Sequence, residues 1–322
     1  MNKQIKAVLG TMTFGESVFQ PEAEEFVRTF LEAGYRELDT AYVYNEGRSE
    51  EIIGEMLPRI GRENVEIATK VNPRITGRLD AEAAYLQLRG SLKRLGLPSV
   101  DTLYLHFPDP ATPVESVLEA CHVLHEEGGF TELGLSNFPA WMVAEVWYLS
   151  RAKGWTLPTV YEGIYNPLTR RAEAELNLAL DHFGLRFYAY NPLAGGLLTG
   201  RYRHFEEEPG DGRFTHRPNY QKRYWKKSYF EAVDLLKEAC EKEGIGLIEA
   251  VCRWLAHHSM LKAERGDAVI IGASRPGHLR QNLAALQAGP LSGSLQECFE
   301  AAWEHCRADS PDYFTLYKGA AK

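Results

Sequence analysis

The chain has 322 residues, 44% of them hydrophobic and 25% charged, with a formal net charge of -8 at pH 7. The length allows a sizeable core, and the balance is that of a globular protein, not a disordered one. A net-negative chain with no clustered basic stretch excludes a general nucleic-acid footprint, and no run approaches the roughly 18 apolar residues of a membrane span.

Ala7 to Met12 reads as a short strand entering a Gly-bearing turn. Pro21 then opens an amphipathic segment, Glu22 to Ala33, with Phe26, Phe30 and Leu31 on one side, and Gly34 stops it as a C-cap glycine does. Tyr35 to Ala41 is the next strand, Arg48 to Leu57 a helix, and Val65 to Lys70 a strand. Asp80 to Leu95 is a long helix ending at Gly96, Val100 to His106 a strand, and Val114 to Glu127 a helix ending at Gly128. Leu133 to Ser136 is a strand, followed by a helix from Trp141 to Lys153. Thr159 to Ile164 is a strand, Arg171 to Phe183 a helix, and Leu185 to Tyr190 a strand. Phe230 to Gly244 and Leu247 to His257 are helices, Ala268 to Gly272 a strand, Pro276 to Ala288 a helix, and the tail holds one more helical segment.

Eight strands alternating with helices imply a parallel sheet with right-handed crossovers. Together with the absence of any linker, this suits a closed (β/α)8 barrel forming one domain over residues 1–322. An open doubly wound sheet is the competitor. It usually announces itself by G-x-G-x-x-G after the first strand, where this chain has Gly10-Thr11-Met12-Thr13-Phe14-Gly15. Arg201 to Lys227, rich in charge and aromatics, is too long for an ordinary connection and reads as a lid or binding element after the seventh strand. Met1 to Gly10 carries no secretory signal pattern. The five cysteines, with no C-x-x-C spacing, predict neither a disulfide framework nor a metal site, but reduced, mostly buried thiols in a cytoplasmic protein.

Polar residues gather at the strand ends, where a barrel of this kind presents its chemistry. Leu38-Asp39-Thr40-Ala41-Tyr42-Val43-Tyr44 holds a carboxylate and two phenols, the next strand ends in Lys70, and the one after in His106. A phenol is a weak acid at neutral pH; a nearby ammonium lowers its pKa, and a carboxylate holds the ammonium in place. A histidine alongside orients a carbonyl oxygen. The set suits protonation of an alkoxide as hydride arrives, although spacing alone does not choose between Tyr42 and Tyr44. Ser136-Asn137 can hold a carboxamide or, more simply, cap the following helix. Tyr190 can stack on a flat ring, and the Gly-rich run after it admits a close pyrophosphate without being a P-loop. Gly272-Ala273-Ser274-Arg275-Pro276 opens a helix as an anion site, with Gln281 and Asn282 one or two turns on, within reach of a base.

Over nearly its whole length the chain resembles the aldo-keto reductases, specifically the aflatoxin-aldehyde and succinic-semialdehyde reductase branch. The resemblance rests on Val8 to Met12, Glu37 to Ala41, Ala68-Thr69-Lys70, Tyr104-Leu105-His106, Glu132 to Asn137 and above all Phe183 to Gly200. It implies a barrel that binds NADPH without a Rossmann domain and reduces a small carbonyl substrate, aldehyde or ketone. The implied catalytic set is Asp39, Tyr44, Lys70 and His106, with Tyr44 as general acid. Ser136, Asn137 and Glu162 would meet the carboxamide and Tyr190 the ring. Asn191, Leu193, Gly195 and Arg201 would line the pyrophosphate, with Arg213 in the lid. Gly272, Ser274, Arg275, His278, Gln281 and Asn282 would meet the 2′-phosphate and adenine. A homodimer is implied as well. The alternative within the fold is a non-catalytic NADP(H)-sensing subunit, against which the intact set of four argues.

Three positions depart from the branch. Glu162 stands where it usually has glutamine, and an ionised carboxylate only accepts hydrogen bonds. Tyr313-Phe314-Thr315 replaces a terminal Tyr-Phe-Arg, which weakens an acidic-aldehyde preference unless Lys318 or Lys322 compensates. His278 stands near the expected 2′-phosphate in place of Arg, Lys or Gln, with Arg275 as the alternative charge.

Overall fold

The computed structural model describes residues 4–210 and 212–319; Lys322 lies outside the described residues. Eight parallel strands close into a barrel in sequence order: β1 (Lys6–Gly10), β2 (Glu37–Asp39), β3 (Glu66–Val71), β4 (Val100–Leu105), β5 (Phe130–Ser136), β6 (Pro158–Ile164), β7 (Arg186–Tyr190) and β8 (Ala268–Ile271). β8 returns to pair with β1, Leu9 lying opposite Ile271. The (β/α)8 expectation holds.

Two cores result. The larger fills the space between sheet and helices, where apolar stripes such as Phe26, Val27 and Phe30 of helix Glu22–Glu32 meet outward-facing strand residues. The smaller lies inside the barrel and joins Val8, Tyr104, Val160, Tyr188, Ala268 and Ile270. Side chains alternate across a strand, so the residue two places on faces the same way. Two places beyond Ala68, Tyr104, Gly134, Val160 and Tyr188 come Lys70, His106, Ser136, Glu162 and Tyr190. Asp39 ends β2 beside them, opposite Gly10 and Ala68. The chemistry-bearing strand ends thus form the top interior layer of the barrel.

Several local readings shift. The helix from Arg48 runs to Ile60, three residues past the expected stop, because Pro58 falls in its final turn and Gly61 closes it on the Leu57 carbonyl. Arg171 to Phe183 divides into a 3-10 turn, Arg171–Glu173, and a helix, Leu176–Phe183. The excursion after β7 packs its aromatic residues onto the larger core. Phe214 is fully buried, and its ring lies 5.1 Å from both Tyr202 and Trp225, edge-on to each. Helices Arg213–His216 and Pro218–Tyr224 carry this lid across the barrel mouth. Arg217 ties it to Glu16 at 2.8 Å and to Asn45 at 3.2 Å, next to Tyr44, and the Tyr220 hydroxyl donates to Asn191 Oδ1 at 3.2 Å.

The tail also crosses the mouth. After helix Gly293–Cys306 the Thr315 N–H donates to the Asn137 carbonyl, and the Tyr317 N–H to that of Pro108. Four cysteines are buried and Cys298 is half-buried, all as free thiols; burial pushes Cys121 and Cys252 up to about 12. Among the described residues no helix is long and apolar enough to cross a membrane.

Candidate active site

Asp39, Lys70 and His106 are buried at the ends of their strands, and Tyr44 follows in the loop behind β2. Lys70 forms an ion pair with Asp39 and donates to the Thr40 carbonyl at 3.1 Å. The Tyr44 hydroxyl donates to the other Asp39 oxygen at 3.4 Å. Lys70 Nζ lies 5.4 Å from the centre of the Tyr44 ring, and the His106 ring stands perpendicular to that ring at 6.5 Å. The structure therefore brings all four groups to one place. Tyr42 is turned elsewhere, its ring under the Arg94 guanidinium at 4.6 Å.

The electrostatics differ from the sequence-based expectation in one respect. The Tyr44 phenol is not made more acidic. Burial, then the charges of Asp39 and Glu162, push its pKa well above the usual value. Lys70 spends its N–H groups on Asp39 and Thr40, so carboxylates dominate the field at the phenol. Burial also works against the charge of Lys70, but Asp39 and then Glu162 outweigh it and hold the ammonium protonated. Burial, then Lys70 and Arg74, hold His106 well below the usual histidine range, so its ring is neutral.

Its tautomer follows from a residue that the sequence reading passed over. Asn72 Oδ1 accepts from the Arg74 N–H at 2.9 Å, which fixes the orientation of the amide. Asn72 Nδ2 then faces His106 Nδ1 at 3.2 Å, and an amide nitrogen only donates. Nδ1 accepts, so the proton sits on Nε2, free to donate toward a substrate oxygen. Gln87 holds the Asn72 backbone at both ends, accepting from its N–H at 2.9 Å and donating to its carbonyl at 3.0 Å. Asn72-Pro73 looks like an ordinary turn; only the adjacency of β3 and β4 reveals its partner.

Glu162 is the unexpected member. It is 3% exposed and faces inward from β6, between Ser136 and Tyr188. Its Oε2 lies 3.3 Å from Lys70 Nζ, within ion-pair reach but out of hydrogen-bond alignment. Burial, then the Asp39 charge, raise its carboxyl to about 8 against the opposing pull of Lys70.

Around this centre lie the residues expected to meet a cofactor. Asn137 and Asn191 both take positive φ, 62° and 58°, a turn that Asn tolerates where the chain leaves β5 and β7. Asn137 Nδ2 donates to the His106 carbonyl and to Ser136 Oγ, and its Oδ1 accepts from the Tyr190 hydroxyl at 2.7 Å. Neither Ser136 nor Asn137 caps the next helix, whose start is Pro139. Leu193 enters the 3-10 turn Ala194–Thr199, and a Cβ on Gly195 would sit 2.7 Å from the Tyr220 ring, so this glycine admits the lid. Arg201 stacks on Tyr202 and Arg213 on Tyr220, at 4.5 and 5.3 Å. Gly272, Ser274, Arg275, His278 and Gln281 are exposed around the start of helix Pro276–Gln287, Ser274 bonds to His278 at 3.1 Å, and Asn282 is buried.

These residues fit a nicotinamide dinucleotide. Asn191 Nδ2 is a buried donor with no partner among the described residues, and a Cβ on Gly196 would meet open space. The helix from Pro276 begins without a side-chain cap, leaving its first N–H groups available beside a cation, Arg275.

A sequence profile described as the Aldo/keto reductase family matches residues 6–303. The chain belongs to the aldo/keto reductases. It is 47% identical over 319 residues to the human protein named aldo-keto reductase family 7 member A3, covering 95% of this chain and 96% of that one. It is 48% identical to the mouse protein named aflatoxin B1 aldehyde reductase member 2, over 95% of this chain and 87% of that relative. A human protein of the latter name is 46% identical over 97% of this chain and 90% of its own length. Membership makes this aldo/keto reductase an oxidoreductase of carbonyl compounds that works with a nicotinamide cofactor.

Proposed function

We propose that this aldo/keto reductase reduces aldehydes to alcohols with NADPH, and that Tyr44 is the proton donor. The observation that carries the reading is the joining of Asp39, Tyr44, Lys70 and His106 in one inward layer, with a neutral histidine bearing its proton on Nε2. When bound, NADPH supplies the hydride. The protein supplies the proton and the geometry. The His106 Nε2–H holds the carbonyl oxygen in place. The Tyr44 O–H, kept protonated by its surroundings, gives its proton to that oxygen as charge develops there. Lys70 then stabilises the phenolate left behind, and Asp39 keeps Lys70 protonated.

Asn191, Gly196 and the start of helix Pro276–Gln287 support binding of the dinucleotide, with Ser274, Arg275 and His278 disposed for an extra phosphate. The lid, anchored on Glu16 and Asn45, closes the remaining side of the mouth. A homodimer, implied by the branch that the chain resembles, belongs to the same proposal. Tyr44→Phe removes the transferable proton alone. Aldehyde turnover should fall by about two orders of magnitude or more while NADPH still quenches tryptophan fluorescence. Wild-type turnover in the variant would refute the assignment.

A further inference from the structure

An ammonium has three N–H groups. Two of those on Lys70 go to Asp39 and the Thr40 carbonyl; the remaining neighbour is a second carboxylate, Glu162, 3.3 Å away. No hydrogen bond joins Lys70 Nζ to the Tyr44 hydroxyl, which donates to Asp39. Two carboxyls thus share one ammonium in a layer that is almost wholly buried, Lys70 being 1%, Asp39 3% and Glu162 3% exposed. Among the described residues Glu162 Oε2 has no hydrogen-bond partner of its own. An isolated buried negative charge is costly, and like charges this close resist ionising together, so such a cluster tends to hold one extra proton.

We propose that Glu162 is a positioning residue of the reaction: it holds Lys70 toward β6 and away from the Tyr44 hydroxyl, and its gain or loss of a proton sets how strongly Lys70 assists Tyr44 as an acid. The inference rests on Tyr44 being the proton donor. With Glu162 protonated, Lys70 answers to Asp39 alone and its field acts on the phenol. With Glu162 ionised, the ammonium is shared between two anions, and a second negative charge opposes release of the Tyr44 proton.

The groups facing Glu162 are Asp39 from β2, Tyr44 from the loop behind it, Lys70 from β3, Tyr104 from β4, and Tyr188 and Tyr190 from β7, while His106, just past β4, faces Lys70. Ser136, its neighbour on β5, carries no charge. The phenols are held above their usual range and His106 below its own, so neither type titrates near neutrality. Asp39 is tied to both Lys70 and Tyr44, leaving Glu162 as the carboxyl with a free oxygen; burial raises it to about 8. The sign is fixed: reduction is faster below this midpoint and slower above it, since protonated Glu162 releases Lys70.

The test is the pH profile of single-turnover aldehyde reduction by the NADPH-loaded enzyme, wild type against Glu162→Gln. The wild type should show a descending limb near pH 8, falling by up to about tenfold per pH unit until the ionised form carries the rate. E162Q keeps the side chain's shape, removes the titrating group and should lose that limb. Glu162→Met, apolar and of similar length, serves where E162Q fails to fold. A second readout needs no turnover. The Tyr44 ionisation, isolated as the ultraviolet difference from Tyr44→Phe, should move to lower pH in either Glu162 variant. If the wild type reduces nothing, the reductase reading fails, and the optical titration still decides whether Glu162 controls Tyr44. If the wild type is active and both variants keep its limb and its Tyr44 titration, this inference is overturned while the reductase reading stands.

Discussion

Asn72→Asp tests the tautomer of His106 with a change of one atom type. The asparagine contributes two separable bonds: Oδ1 accepts from the Arg74 N–H, capping the turn Pro73–Thr76, and Nδ2 donates to His106 Nδ1. The aspartate keeps the first and inverts the second. Facing a carboxylate, Nδ1 carries the proton and donates, which strips Nε2 of its own. Losing a neutral amide–imidazole bond is worth about 1 kcal/mol, about fivefold in rate. Losing a donor aimed at a developing oxyanion costs about 10²–10³ in kcat. Asn72→Ala, which only removes the bond, should therefore lie near the smaller figure and Asn72→Asp near the larger. The aspartate variant should be the more stable of the two, because it retains the cap. The assay is kcat for aldehyde reduction followed by NADPH absorbance, with pH varied. The deficit of Asn72→Asp should shrink as pH falls, because an imidazolium regains its Nε2–H beside a carboxylate. The reasoning fails if the two variants lose similar activity, or if the aspartate variant does not recover in acid.

Gly163→Ala should destabilise the protein by about 1–3 kcal/mol in urea melts without altering the residual pH profile, because overpacked cores cost about that much. Its Cβ would lie 2.6 Å from the Phe187 ring and 2.8 Å from that of Tyr161, both inside the core. Buried neutral His106 should make stability fall in acid. Its folded pKa lies well below the usual histidine value, so its contribution is complete above that usual value and is lost as pH falls toward the folded pKa. The rate of loss is about 1.4 kcal/mol per pH unit in that window. His106→Gln should show a correspondingly shallower acid loss, measured as the difference between the two proteins' melts at about pH 5 and about pH 7.

The alternation of strand and helix was written plainly in the sequence, because fully buried parallel strands form short apolar runs bounded by Gly and polar turns. Polar endings such as Ala-Thr-Lys70 and Leu-Tyr-Leu-His106 were legible for the same reason: a charged residue closing an apolar run demands a partner at the barrel mouth. Register was harder. Glu162 was placed beside a carboxamide, and the parity that points it inward with Lys70 emerges only when β3 and β6 are known to face one barrel interior. Asn72 carried no local signal of its link to a histidine on the next strand. The expected lowering of the Tyr44 pKa by Lys70 rested on nearness alone; direction decided otherwise, since the N–H groups of the lysine point to Asp39 and Thr40. The helix from Arg48 was expected to end at Leu57, yet it continues through Pro58 to Ile60, and a proline that close to the helix end displaces little.

Strand order also divides the barrel into two halves that would be exchangeable units. Asp39, Tyr44, Lys70 and His106 all come from the first four strands and their loops, whereas Ser136, Asn137, Tyr190 and Arg275 come from the last four. A chimera that joins this front half to the rear half of a relative would keep the proposed proton-handling set whole and import another proposed dinucleotide cradle. The Lys70–Glu162 contact crosses that seam between charged groups. A recombined barrel that brings glutamine opposite Lys70 inherits a differently balanced ammonium along with its new cradle, so the two halves are separable in space but not in charge.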